Sequence, residues 1–142
     1  MALGNLTYKT PNPVNQIQQN LTAFEGCGVV LSAQNTIDIV QAQGDVPYGV
    51  LVVGGDSITP GTYPSLIAAS AIEVVDAYGA VVQALAGTGG VTTNMLVKAD
   101  ATVGSFIDAA GTASGKYVWG VALTDAAAGE QFLLRFSPYL VQ

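Results

Sequence analysis

From Gly26 to the C-terminus, short apolar runs alternate with turn residues, and this rhythm limits the fold more than any other feature of the chain. "GVVLSA", "TIDIVQA" and "YGVLVVG" follow one another, separated by Asn, Gln, Gly, Asp and Pro. Runs rich in β-branched residues and bounded by such turn formers read as strands. The expected fold is all-β: a compact β-barrel or β-sandwich over residues 25–142, preceded by an extended N-terminal arm over residues 1–24.

Individual runs carry further detail. In "TIDIVQA", Ile37 and Ile39 share one face and Asp38 takes the other, by the two-residue period of a strand. "YGVLVVG" is apolar on both faces, as a central strand is, and "GGDSITPG" after it is turn material. "YPSLIAASAIEVVDAYGAVVQALAG" is ambiguous. Its alanines allow a helix, but Ile72, Val74 and Val75 are β-branched and Tyr78-Gly79 punctuates it, which favours strands in a hairpin or meander. "AGTGGVTTN" reads as a loop and "MLVKADA" as a strand. "YVWGVAL" is a strong strand with Trp119, Val121 and Leu123 expected on one face. "QFLLRF" closes the sheet with Phe132, Leu134 and Phe136 on one face.

The chain also echoes itself. Ile37-Asp38 precedes Tyr48-Gly49-Val50 much as Ile107-Asp108 precedes Trp119-Gly120-Val121. An acidic, Gly-bearing turn follows each aromatic-Gly-Val strand, at Asp56 to Gly61 and at Asp125 to Gly129. The physical reading is two similar β halves in one body, with Gly49 and Gly120 omitting a side chain where strands cross closely or bend.

Residues 1–24 differ in character: "TYKTPNPVNQIQQNLT" is polar, and Pro11 and Pro13 oppose a helix around them, so the expected arm is extended with one short helical turn near Val14 to Gln19. Leu3, Leu6, Tyr8, Val14, Ile17 and Leu21 give this arm apolar groups to bury, and they are the candidate partner-binding residues. Removal of residues 1–24 is expected to leave the β fold intact. The start of the chain lacks the basic and apolar regions of a signal peptide, and no run of about 18 apolar residues suggests a membrane-spanning helix.

Charge narrows the partners. The chain has 142 residues, 50% hydrophobic and only 10% charged. An ordinary soluble domain has about 25% charged residues. A surface so poor in charge implies a coat of Ser, Thr, Asn and Gln together with burial against other copies or another protein. Net charge is -6, and Lys9, Lys98, Lys116 and Arg135 are scattered, which argues against direct binding to nucleic acid or an anionic membrane.

Chemistry finds little to work with. There is no His to serve as base or metal ligand, and Cys27 is alone, expected as a small buried apolar side chain. "GTASGKY" has three residues between its glycines where a phosphate loop has four, and Tyr117 stands where Ser or Thr is needed. Asp38, Asp45, Asp56, Glu73, Asp76, Asp100, Asp108, Asp125 and Glu130 stand mostly at strand ends and turns, where carboxylates cap backbone N–H groups. Lys98 lies within a strand pattern rather than at the hairpin tip of a lipoyl carrier. No catalytic residue, cofactor or metal is assigned, and the chain is read as not an enzyme.

"MLVKADATVGSFIDAAGTASGKYVWGVALTDAAAGEQFLLRF" resembles the body of tailed-bacteriophage capsid decoration proteins, also called cement or head-stabilising proteins. The likeness rests on Trp119 to Leu123, the Ala126 to Glu130 turn and the Phe132 to Phe136 strand, and it extends over about residues 26 to 136. It implies a structural virion protein, made in the host cytoplasm, that sits on the outer capsid surface. There it would bridge major capsid protein subunits and stabilise the expanded head, as a homo-oligomer with a trimer favoured. The alternative is a phage receptor- or glycan-binding module, such as a spike or fibre base.

Overall fold

The computed structural model describes residues 16–17, 21–33, 36–53, 67–68 and 72–142. These form two sheets. The first contains β1 (Gln16–Ile17), β2 (Gly28–Ala33), β3 (Thr36–Ile39), β4 (Gly49–Val53), β5 (Ile67–Ala68) and β6 (Glu73–Val75), in the order β5-β1-β3-β2-β4-β6. The second contains β7 (Val81–Leu85), β8 (Leu96–Ala99), β9 (Phe106–Asp108), β10 (Tyr117–Ala122) and β11 (Gln131–Leu140), in the order β7-β11-β10-β8-β9. Neighbouring strands are antiparallel except β1 and β3, which run parallel. The all-β expectation holds, in its sandwich form.

The ambiguous stretch is strand in its described part, but it is not a hairpin. β6 belongs to the first sheet and β7 to the second, so the turn at Ala77 to Gly79 carries the chain from one layer to the other. The layers are also stitched by backbone. Leu85 N–H donates to Gly26 carbonyl at 2.9 Å, and Gly26 N–H donates to Leu51 carbonyl at 2.7 Å. Within the second sheet the two edge strands also meet: Ala86, just after β7, bridges Phe106 of β9, and Gly87 N–H donates to Phe106 carbonyl at 2.7 Å. These bonds occupy groups that open sheet edges would leave exposed.

The internal echo is real at the level of topology. The first sheet contains the run β3-β2-β4-β6 and the second the run β9-β8-β10-β11. Each is a hairpin, a strand added beside its first member, and a fourth strand beyond. Gly49 faces Val29, and Gly120 faces Val97. A Cβ on Gly49 would meet Val74 Cγ1 and the Val75 carbonyl oxygen, each at 2.5 Å. A Cβ on Gly120 would collide with the Arg135 carbonyl oxygen and approach Leu134 Cδ1 at 3.0 Å. Both glycines therefore let the fourth strand of their unit lie close.

The register corrects the sequence alignment by one residue on the hairpin strand. Val29 pairs Ile39, whereas Val97 pairs Asp108. Asp108 thus corresponds to Ile39, and Ile107 to Asp38. Each acid opposes a residue of the inter-sheet core, Val30 for Asp38 and Val97 for Asp108, but Asp38 is buried while Asp108, last in its strand, is exposed.

The main core lies between the sheets. Val30, Val40, Val50 and Val75 come from the first layer, and Val97, Phe106, Trp119, Phe132, Leu134 and Phe136 from the second. Trp119 is the hub, making edge contacts with Phe106 at 5.8 Å and Phe136 at 6.3 Å between ring centroids. It reaches the first sheet at Gly28, where a Cβ would stand 2.7 Å from Trp119 Cζ3 and 2.9 Å from Ala99 Cβ. A second cluster covers the opposite face of the first sheet: Leu21, Val29, Ile37, Ile39, Leu51 and Val74, with Phe24, Tyr48 and Ile72 against it. The first sheet is thus apolar on both faces, which explains the unbroken "VLVV" of β4.

One expectation fails on β10. Trp119 and Val121 do not share a face. The pairing with β11 shifts between Val118 and Gly120, so Val118 and Trp119 are both buried in succession. Val121 then pairs Arg135 and Leu96 on the outward side, and Ala122 returns inward. On β11 the irregularity falls at Ser137-Pro138, where a residue lacking an N–H is tolerated.

Trp119→Ala is expected to cost about 3–5 kcal/mol, mostly through the cavity left behind, since each aromatic pair adds only about 0.5–1.5 kcal/mol. Gly120→Ala is expected to cost about 1–3 kcal/mol, although it adds only a methyl. Urea unfolding followed by fluorescence or circular dichroism measures both; an unchanged midpoint for Gly120→Ala would show that β11 is free to retreat.

Candidate functional site

The acidic residues are structural where the structure describes their bonds. Asp45 Oδ2 accepts from Gln41 N–H and Ala42 N–H, each at 2.9 Å, and closes the turn before β4. Asp108 Oδ1 accepts from Ala110 N–H at 2.9 Å, and Glu130 Oε1 accepts from Ala127 N–H at 3.0 Å. Asp125 Oδ1 accepts from Thr93 N–H at 2.7 Å and Thr93 Oγ1 at 2.9 Å, tying the turn after β10 to the turn before β8. These two bonds hold the Asp125 carboxyl below its usual range. Among the described residues, no three Cys, Asp or Glu side chains converge as a metal site would require. Cys27 is buried, and burial pushes its thiol up to about 11.

Two surface features remain once the caps are assigned. The first is a groove of about 430 Å³ at the end of the first sheet, lined by Leu31, Gln41, Asp45, Val46, Pro47 and Tyr48 among others. Leu31 and Val46 expose 47% and 65% of their surface there, so its walls are apolar side chains turned to solvent. The Tyr48 hydroxyl is buried without a hydrogen-bond partner. Asp76 acts on it electrostatically, but the two groups do not meet in good hydrogen-bond geometry. Burial first, and then the Asp76 carboxylate, push the phenol up to about 12. Burial also raises the Asp76 carboxyl, against a hydrogen bond from its own backbone that lowers it.

The second feature is the outer face of the second sheet. Register places Val81, Arg135, Val121 and Leu96 in one row across β7, β11, β10 and β8. Val81 and Leu96 are exposed, and Val121 is half-buried. In the next row Leu133, exposed by 38%, stands beside Gln83, and Leu123 N–H donates to the Leu133 carbonyl at 2.7 Å. Lys98, half-buried, stands outward between the buried Val97 and Ala99. Aliphatic groups and two cations thus share this face with the polar Gln83 and Gln131. The trace in the sequence is Leu133 in "QFLLRF": the inward set Phe132, Leu134 and Phe136 is complete without it.

The arm residues divide. Leu3, Leu6, Tyr8 and Val14 lie outside the described residues. Ile17 is in β1, its backbone paired with Ile37 and Ile67. Leu21 is fully buried in the second core cluster. It is held by the chain's own body, so it is not offered to a partner, and cutting at residue 24 would remove β1 and a core side chain together. Leu21 lines neither the groove nor the outer face of the second sheet. No protein-family model and no curated protein sequence matches the chain.

The Tyr48 environment gives an alkaline signature. Below pH about 10 the phenol is protonated in both folded and unfolded chains, and folding keeps its full contribution. As pH rises from 10.0, the ordinary value, through about 12, the unfolded chain ionises first and stability falls. Tyr48→Phe is expected to flatten this loss and leave the neutral-pH melting temperature unchanged or higher, because it removes a buried hydroxyl that has no partner. Melting curves at pH 9 to 11.5 for both proteins check this; parallel curves would place the Tyr48 hydroxyl in water.

Proposed function

We propose that the protein is a structural virion protein of a tailed bacteriophage, a decoration protein that binds the outer surface of the expanded head and bridges major capsid protein subunits. The reading starts from the resemblance over residues 26 to 136, and the observation that carries it furthest is the outer face of the second sheet. Val81, Leu96 and Leu133 stand exposed there on a rigid scaffold. Exposed aliphatic groups gathered on one face mark a surface for protein contact. Asp45, Asp108, Asp125 and Glu130 each accept from backbone N–H groups in turns. On this reading the protein acts by binding and not by catalysis, as a homo-oligomer with a trimer at a three-fold position.

The mechanism is linkage. A protein that binds the assembled shell, and not its separated subunits, stabilises the shell by RT ln(1 + [L]/Kd) per site, about 2.7 kcal/mol when the free protein stands at 100 times Kd. An oligomer that engages several sites together gains avidity, so each contact can be individually weak. Few charges and many apolar groups suit a protein held among neighbours, where each charge left unpaired at an interface is costly.

Heads prepared without the protein, then mixed with purified protein and heated, test the reading. The temperature of DNA release is expected to rise, with the protein sedimenting with the heads. Identical release with and without it would overturn the proposal, and ligands on a glycan array in place of head binding would favour a receptor-binding module.

A further inference from the structure

We infer that the groove at the end of the first sheet is a strand-addition site that the chain fills itself, with the segment from Asn5 to Lys9 laid along the open edge of β2. The pairing of β2 with β4 stops at Val29, opposite Gly49, yet β2 runs on to Ala33, and Leu31 to Ala33 are exposed. Gly28 turns its carbonyl to the β3 side, where Val40 N–H donates to it at 3.4 Å. Val29 turns its carbonyl the other way, to Tyr48 N–H at 3.0 Å. Leu31 faces Ile37 as Val29 faces Ile39, so the alternation of an antiparallel ladder points its N–H and carbonyl away from β3 as well. The described residues of β4 do not reach them: the chain before β4 is Val46-Pro47, and Pro47 has no N–H to give. The groove runs beside this edge, between Leu31 and the wall made by Val46, Pro47 and Tyr48. A sheet edge flanked by apolar side chains recognises an extended peptide, through main-chain bonds and alternate side chains.

The length and direction of the chain name the occupant. β1 runs parallel to β3, and Gln16 pairs Thr36, which also pairs Ala33. The chain therefore enters β1 at the end of the sheet where the open edge lies. Residues 1–15 precede it and lie outside the described residues. The open edge is three strand positions from β1, past β3 and β2, about 14 Å at 4.8 Å per step. The link from Lys9 to Gln16 spans up to about 23 Å, which is enough. Pro11 and Pro13, which cannot donate to a ladder, fall within this link. Leu6-Thr7-Tyr8 keeps every N–H, and Leu6 and Tyr8 share one face of a strand. Lys9 is the only charged side chain of residues 1–24, and it follows at once. Asp45 is the one carboxylate among the groove's lining residues, so charge matches as well as shape.

The inference stands apart from head binding, and its test uses the full chain alone. Cysteines placed singly at Leu6, Thr7 or Tyr8 are each combined with Val46→Cys and mildly oxidised; Cys27 is buried and stays out of the reaction. At least one pair is expected to close within a single chain, at monomer mass on a non-reducing gel. The same cysteines combined with Gln83→Cys on the second sheet are expected to stay open. In the wild-type chain the Leu31 amide is expected to exchange with solvent about tenfold more slowly, or slower still, than in the double variant Leu6→Asp with Tyr8→Asp, with circular dichroism unchanged. No closure with Val46→Cys, equal Leu31 exchange in the two proteins, or a disulfide that links two chains would each overturn the inference, the last by giving the groove to a second copy.

Discussion

Trp119 lying against Gly28 is the contact on which the rest of the molecule depends. The indole spans the space between the sheets, braced by Phe106 and Phe136 on its own side. It reaches the far sheet only because Gly28 has no side chain there. The side chain is nearly the whole thickness of the core at this point, so it sets how closely the layers approach. Val30, Val50 and Val75 fill around it from the first sheet, Val97 and Leu134 from the second. The irregular pairing of β10 follows from the same demand. With Trp119 in the core and Val121 paired with Arg135 on the outer face, the strand gives up strict alternation.

The two like units show how similar scaffolds acquire different surfaces. Both place a glycine where their fourth strand lies close, and both share one strand order. Their exteriors diverge. The first sheet is covered again by Leu21, Phe24 and Ile72, which makes it the buried middle of the protein. The second sheet keeps its outer face, with Leu96, Leu133 and Arg135 on it. In the second sheet the Ala86–Phe106 bridge joins the two edge strands, which leaves faces and turns rather than open strand edges for recognition. That is a sound construction for a protein that must contact neighbours in large numbers without aggregating, which is what residence on a phage head would ask of it.

Much of the fold was legible because strand periodicity is a local property. "TIDI", "YGVLVVG" and "QFLLRF" each announce their buried face through residues two apart, and Phe132, Leu134 and Phe136 are buried together as that spacing requires. The echo was legible as well, because the tight approach at Gly49 and Gly120 leaves the same mark in both halves. The alignment of Asp38 with Asp108 was not recoverable, since register depends on which partner strand each residue faces. The candidate surface was barely legible. Val81, Leu96 and Leu133 come from three strands far apart in the chain, and each alone is an unremarkable aliphatic residue.

Composition and periodicity, then, were enough to establish an all-β body, a poverty of charge and the lack of His, because these are sums and spacings along one chain. Which face of each sheet meets the core, that Leu21 belongs to the body and not to a free arm, and that Arg135 sits in an aliphatic row across four strands came only with folding. Those facts concern residues tens of positions apart, and the packing of Trp119 between two layers is what sets their distances.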